Sequence, residues 1–251
     1  MSVCPDPALP TETTEDDFLG GRLRLLQPAS GYRIGADSIL LAASVAAADG
    51  ARVLDVGCGT GAVALAIGRR VPEVMLEGLE YQESLAALAA ENARRNGIAL
   101  QLAVGDLARP PRDLPRNAFD HVVTNPPYLE EEQGTLPPDP SKARAFVTHG
   151  MDLRHWIVQC LKFVRPRGLL HLVQRVDRLG DVLAALDGRA GDIAICPLWP
   201  RQGVPARRFI LQARKGGKGP MRLLPGLVLH DDRGYTAEAE AVLRHGRGLP
   251  L

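Results

Sequence analysis

The sequence predicts an α/β fold with a mostly parallel sheet and helices on both faces. Three observations carry this. From Ala51 onward, apolar β-branched runs alternate with runs of helical period. A glycine-rich turn, Asp55-Val-Gly-Cys-Gly-Thr-Gly61, separates the first of these strands from its helix. Near the end, Asp192–Leu198 and Ala206–Ala213 are joined by a connection too short for a helical crossover, so they should pair antiparallel.

The elements follow in order. Residues 1–17 are rich in proline and acid and read as a flexible N-terminal segment. Residues 18–251 read as a single domain, with a core over about 51–214 and a C-terminal extension over 215–251. Phe18 to Gln27 alternates weakly, as a short strand or a hairpin does. Asp37 or Ser38 is a candidate N-cap for a helix with Ile39, Leu40, Ala43 and Ala46 on its apolar face. Strands are predicted over 52–56, 74–80, 99–104, 119–124 and 169–174. Helices are predicted over 62–70, 84–95, 151–164 and 176–186, the second closed by Asn96-Gly97. In the tail, 223–230 is extended and Thr236 caps a final helix with Glu238 and Glu240 in its first turn.

Composition narrows the class. The apolar share is 45% and the charged share 24%, ordinary for a globular protein, and the net charge is +1. A nucleic-acid partner therefore has to be argued locally. Cys4, Cys58, Cys160 and Cys196 lack metal-ligand spacing, and the histidines form no ligand pattern, so no metal is expected. The N-terminus shows no secretory signal and no stretch is apolar enough for a membrane span, which reads as cytoplasmic.

Glycines in the turn over 55–61 allow a tight bend and close ligand approach, and the following helix offers unpaired N–H groups. Glu80 ends the next strand, where an acid accepts from ribose hydroxyls. Gly57, Gly59 and Ala62 also satisfy the spacing of a nicotinamide or flavin turn. Three details favour S-adenosylmethionine. Asp55 sets a carboxylate near a cationic amino-acid group, Gly61 makes a close G-x-G-x-G, and Asp106 after the third strand can reach an adenine amino group.

The fourth strand stops at Asn125-Pro126-Pro127-Tyr128. Two prolines fix φ and remove N–H donors, so the turn is stiff. A stiff turn at the mouth of a sheet, carrying an amide and an aromatic ring, is suited to gripping a flat polar group, and this turn is read as holding the nitrogen on which the chemistry happens. Tyr128 can stack on a flat acceptor. Within 201–222 lie Arg201, Arg207, Arg208, Arg214, Lys215, Lys218 and Arg222, with no acid, a segment suited to phosphates. Its bland alternative is a solvated strand edge. The 129–145 loop follows the turn directly, a place suited to a lid.

The runs VLDVGCGTG, GLE and GDL, in that order, resemble the cofactor motifs of class I methyltransferases. The resemblance implies a Rossmann-like, mostly parallel seven-stranded sheet with a terminal antiparallel strand pair. It also implies S-adenosyl-L-methionine held by Asp55, Gly57, Gly59, Gly61, Glu80, Asp106 and Asn125. Asn125-Pro126-Pro127-Tyr128 resembles the acceptor motif of enzymes that methylate planar nitrogens. Gly31-Tyr-Arg-Ile-Gly-Ala-Asp37 and the tail over 207–238 are similar to tRNA (adenine-N6)-methyltransferases of the valine-tRNA anticodon-loop type. That likeness implies methylation of adenine N6 in tRNA or another structured RNA. It adds Tyr32, Arg33 and Asp37 as pocket candidates, and Arg207, Arg208, Arg214, Lys215 and Lys218 as RNA contacts. Two rivals stay open: a glutamine-N5 methyltransferase acting on a protein, and a non-catalytic cofactor-binding RNA module.

Overall fold

A computed structural model describes residues 12–30, 33–126 and 151–251. The strand-helix alternation builds one sheet from β3 (Arg52–Val56), β4 (Met75–Glu80), β5 (Gln101–Val104), β6 (Phe119–Thr124) and β7 (Val164–Arg175). Their order is β5-β4-β3-β6-β7, all parallel. β9 (Arg208–Lys215) then lies antiparallel between β7 and β8 (Ala190–Arg201), as the short connection requires.

The sheet has ten strands among the described residues, where seven were expected. The expected core, β5-β4-β3-β6-β7-β9-β8, is present. The C-terminal extension adds β10 (Arg222–Leu223) and β11 (Leu227–Asp231), both parallel to β8, and β12 (Gly234–Tyr235) on β11. The physical reason is that β8 would otherwise present unpaired N–H and C=O groups along its outer edge.

Apolar side chains fill both faces. One cluster gathers α1 (Ala36–Ala43), α2 (Ala62–Arg70) and α6 (Ala237–Leu243) with Val53, Val123 and Val173 of the sheet. The other gathers α4 (Leu153–Phe163) and α5 (Leu179–Leu186) with Leu54, Val122 and Leu170. α3 (Glu83–Asn96) ends on Gly97 in the left-handed region at φ 62°, as Asn96-Gly97 predicts. Thr236 caps α6, its hydroxyl accepting from Ala239 N at 3.1 Å.

Several expectations are corrected. Thr13–Phe18 is strand β1, paired antiparallel with β2 (Leu23–Pro28), although 13–17 were placed in the loose N-terminal segment. Asp16 is held there by Gln27 Nε2 at 2.8 Å and by Arg33 at 2.5 Å, which offsets the acid content that argued for disorder. α1 is capped by Gly35 without a side-chain bond, and Asp37 lies inside its first turn. The helix ends at Ala43, which leaves Ala46 exposed. β7 starts at Val164 rather than Leu169, directly after α4, with a register shift against β6 between Phe119 and His121. The 129–145 loop lies outside the described residues.

Candidate active site

The cofactor end forms where β3 runs into α2. Gly57, Gly59 and Gly61 all take positive φ, at 71°, 55° and 85°. A Cβ at Gly57 would stand 3.1 Å from the Trp156 ring, and one at Gly61 3.3 Å from Ala89 Cβ. A Cβ at Gly59 would meet nothing within 4 Å, so the middle glycine turns its backbone to open space. Packing therefore demands the outer glycines, and the middle one leaves room for a ligand.

Two acids frame this turn. Glu80, at the end of β4, accepts from Gly59 N at 2.8 Å through one oxygen and from Gln82 N at 2.9 Å through the other. A carboxylate oxygen can accept more than one hydrogen bond, so shaping the loop and accepting from a hydroxyl are compatible roles for Glu80. Asp55 is buried on β3 and accepts from Ala64 N at 3.1 Å. Burial pushes its pKa up to about 7; the Ala64 N–H works against this and the charge of Glu80 adds to it. A pair of buried acids at an open glycine turn suits a cationic ligand, because a positive charge lowers the cost of ionising Asp55. Asp106 lies one strand over, after β5, and closes its own turn by accepting from Ala108 N at 2.8 Å. Gly105 N donates to Glu80 O at 2.9 Å, which brings the two acidic strand ends side by side.

The acceptor turn rises next to this loop. In the β3–β6 register Asp55 stands beside Val123 and Val56 beside Thr124. Gly57 and Asn125 therefore leave neighbouring strands at the same level. Asn125 is half-buried and Pro126 buried; Pro127, Tyr128 and Tyr32 lie outside the described residues.

Two supports were invisible in the sequence. The Trp156 Nε1–H donates to Thr124 Oγ1 at 2.9 Å, and the Thr124 hydroxyl donates to Val56 O at 2.9 Å. Asn92, fully buried on α3, donates to Thr60 O in the glycine turn and to Leu26 O in β2, both at 3.0 Å. The one hint was chemical: an asparagine between Ala89 and Ala93 on an inward helix face has to find partners.

The remaining candidates separate. Arg33 reaches Thr14 and Asp16 and braces β1. Asp37 pairs with Arg208 at 2.9 Å, which ties the segment before β3 to the start of β9. The predicted basic segment is split between the two ends of the sheet. Arg207 and Arg208 lie at the end where Asn125 emerges, because Arg208 pairs with Arg175 at the C-terminal end of β7. Arg214 and Lys215 lie at the opposite end. There Arg214 donates to Arg167 O at 2.8 Å, and Lys215 donates to Leu161 O, Val164 O and Asn117 Oδ1 at 2.6–2.7 Å. Lys218 follows on that side. A run of basic residues without acid placed all five in one stretch, but a strand runs from one end of the sheet to the other.

Among the described residues, no group of three or more His, Cys, Asp or Glu is placed to hold a metal. No described helix is long and apolar enough to cross a membrane.

Comparison with known proteins finds methyltransferases. Residues 30–146 match the family model of the methyltransferase small domain. The tRNA1(Val) (adenine(37)-N6)-methyltransferase of Actinobacillus succinogenes is 29% identical over 225 residues, 88% of this chain and 92% of that protein. That of Aeromonas salmonicida is 27% identical over 216 residues, covering 85% and 89%. The release factor glutamine methyltransferase of Gloeobacter violaceus is 32% identical over 161 residues, covering 60% and 55%. Among solved structures, a predicted O-methyltransferase from Agrobacterium tumefaciens superposes with a TM-score of 0.70 at 24% identity, over 86% of this chain and 99% of that one. Geranyl diphosphate C-methyltransferase from Streptomyces coelicolor, solved with S-adenosyl-L-homocysteine, gives 0.51 at 16% identity, over 72% and 78%.

Fold, site and relatives together define the class: an S-adenosylmethionine-dependent methyltransferase of Rossmann-like class I fold. The chain is an enzyme, and the non-catalytic module is set aside.

Proposed function

We infer that this enzyme methylates a planar exocyclic nitrogen, most specifically the N6 amino group of adenine in tRNA or another structured RNA. When bound, S-adenosylmethionine supplies a methyl group on a sulfonium. The chain's residues do the rest. Gly57, Gly59 and Gly61 let the cofactor approach the backbone, and Asp55, Glu80 and Asp106 offer acceptors to its cationic and hydroxyl groups. Asn125 and the Pro126 carbonyl orient the acceptor NH₂ and favour charge building on nitrogen, with Pro127 stiffening the turn and Tyr128 stacking on the base. A stacked base must leave its neighbours to enter such a site.

The observation that carries this reading is the β3–β6 register, which sets Asn125 at the level of Gly57. The choice of adenine is supported by relatives of that activity matched over most of both chains. A second reading, glutamine-N5 methylation of a protein, is favoured by the release factor enzyme, though over a smaller share of each chain.

One assay decides between them. Labelled S-adenosylmethionine is offered with total unmodified tRNA or with protein extract, and the products are hydrolysed. Label in N6-methyladenosine is expected; label in methylglutamine with none in RNA would replace this reading by the second.

A further inference from the structure

Beyond the acceptor turn, the same end of the sheet carries a second feature. β8 ends at Arg201 and β9 begins at Arg208, so their connection projects past the C-terminal ends of β6 and β7. Arg208 pairs with Arg175, three residues past the Leu172 that pairs with Thr124. By strand rise and strand spacing the connection stands roughly 10 Å beyond Thr124 and roughly 10 Å to the side.

A groove of about 570 Å³ opens there, lined by Trp199, Val204, Pro205, Pro225 and Val228 with Gln202 and Gly203. Alternation explains its apolar wall. Leu198 and Leu227 pair across β8 and β11 and turn into the core under α6, so their neighbours Trp199 and Val228, also paired, turn to the other face. Trp199 is fixed over the bend at Gly226: its Nε1–H donates to Pro225 O at 3.0 Å, and a Cβ at Gly226 would stand 2.5 Å from that nitrogen.

Arginines flank the lining residues in the chain: Arg201 precedes Gln202, and Arg207 follows Pro205 by two. Arg201 follows Trp199 by two residues on the same face and faces His230 in the register. Its Nη1 donates to Asp231 O at 2.7 Å and stands 3.3 Å from the exposed Asp232, an ion pair that solvent and salt weaken; a guanidinium has five N–H donors, so these contacts use only part of it. Arg207 is exposed and makes no ion pair among the described residues. Beside them the His230 and Tyr235 rings stack at 4.7 Å. Flat apolar walls, half-buried aromatic rings and guanidinium groups together meet the chemistry of unpaired nucleotides, which offer a π-face and a phosphate at each step.

We propose that the Trp199–Val204–Pro225 groove, with the adjoining Arg201 and Arg207, is the docking surface for single-stranded nucleotides that flank the acceptor base. This rests on the reading of RNA as the substrate. Apolar walls hold an unstacked base while the arginines hold its backbone phosphates. Once neighbours of the target are stacked in the groove, the target is free to reach Asn125. Recognition then takes in a short open stretch of RNA, such as a loop, rather than one base.

The test uses the full chain and an unmodified tRNA transcript. Anisotropy gives the Kd at several salt concentrations, calorimetry gives the affinity for S-adenosylhomocysteine, and methyl transfer is followed in parallel. Arg201→Ala with Arg207→Ala should weaken tRNA binding about tenfold or more and lower the salt slope by about 1 per arginine, with cofactor affinity unchanged. Val204→Asp, at an exposed loop position, should weaken binding without disturbing the core. A 4-thiouridine transcript should crosslink to the peptide spanning 199–207. If wild-type enzyme methylates tRNA while these variants bind it with unchanged Kd and slope, the groove is not its docking surface. If wild-type enzyme neither binds nor methylates tRNA, the RNA reading fails and the groove proposal falls with it.

Discussion

The Trp156 indole donates to the Thr124 hydroxyl at 2.9 Å, and through it one side chain braces both halves of the proposed active site. Its ring closes on Gly57 of the cofactor turn, and its N–H fixes the residue before Asn125. The Thr124 hydroxyl carries the link on to Val56, immediately before that glycine. The turn at Gly57 and the strand end before Asn125 therefore share one support.

Trp156→Phe keeps most of the ring and removes this hydrogen bond. Stability should fall by about 1 kcal/mol. Single-turnover transfer should slow by about ten- to a hundredfold, as a small misplacement of the acceptor does. Stopped-quench rates at saturating substrate are the measurement, and an unchanged rate would show that Thr124 needs no such anchor.

Asn125→Ala removes the proposed acceptor for the target NH₂. Transfer should drop by at least about a hundredfold, the usual cost of losing an oriented polar partner in the transition state. Cofactor affinity, measured by calorimetry, should stay within a few-fold. Near wild-type turnover would rule out the clamp.

Asp55 gives a pH signature. The folded protein holds its proton up to about pH 7, whereas an ordinary carboxylate gives it up near 3.8. Between those values the native state binds more protons than the unfolded chain. This contribution to stability is complete below the unfolded pKa and is lost as pH rises through about 7. Asp55→Asn keeps an acceptor for Ala64 N and removes the titration. Urea unfolding at pH 5 and pH 8 should show the wild type losing stability relative to the variant, at up to about 1.4 kcal/mol per pH unit. The buried His121–His171 pair tilts the other way, since burial lowers both pKa values and acid must charge them. Both proteins carry that pair, so it cancels in the difference. A difference independent of pH would mean that Asp55 is ionised throughout.

Lys215→Ala separates charge from structure. Its ammonium is spent on Asn117 Oδ1, Leu161 O and Val164 O. The variant should be about 1–3 kcal/mol less stable, with those acceptors left short of a donor. Its salt dependence of tRNA binding should match wild type. A reduced slope would return this end of the sheet to the RNA path.

The sequence by itself determined the strand–helix order from β3 to β9, the glycine turn and the abrupt stop at Asn125-Pro126. Each is a local signal: periodic burial, backbone freedom at φ > 0, and the loss of N–H donors at proline. It also told that β8 and β9 pair antiparallel, since chain length alone forbids a crossover. Tertiary structure decided what lies beside what. It gave the sheet three more strands by letting the tail cover the free edge of β8. It split the basic segment, because a strand carries neighbours in sequence to opposite ends of a sheet. It turned Asp37 from a cap into the partner of Arg208, two residues far apart in the chain. Above all it placed Trp156 between Gly57 and Thr124. A tryptophan on an apolar helix face reads as core, and only the approach of α4 to two strand ends gives its N–H a place in the site.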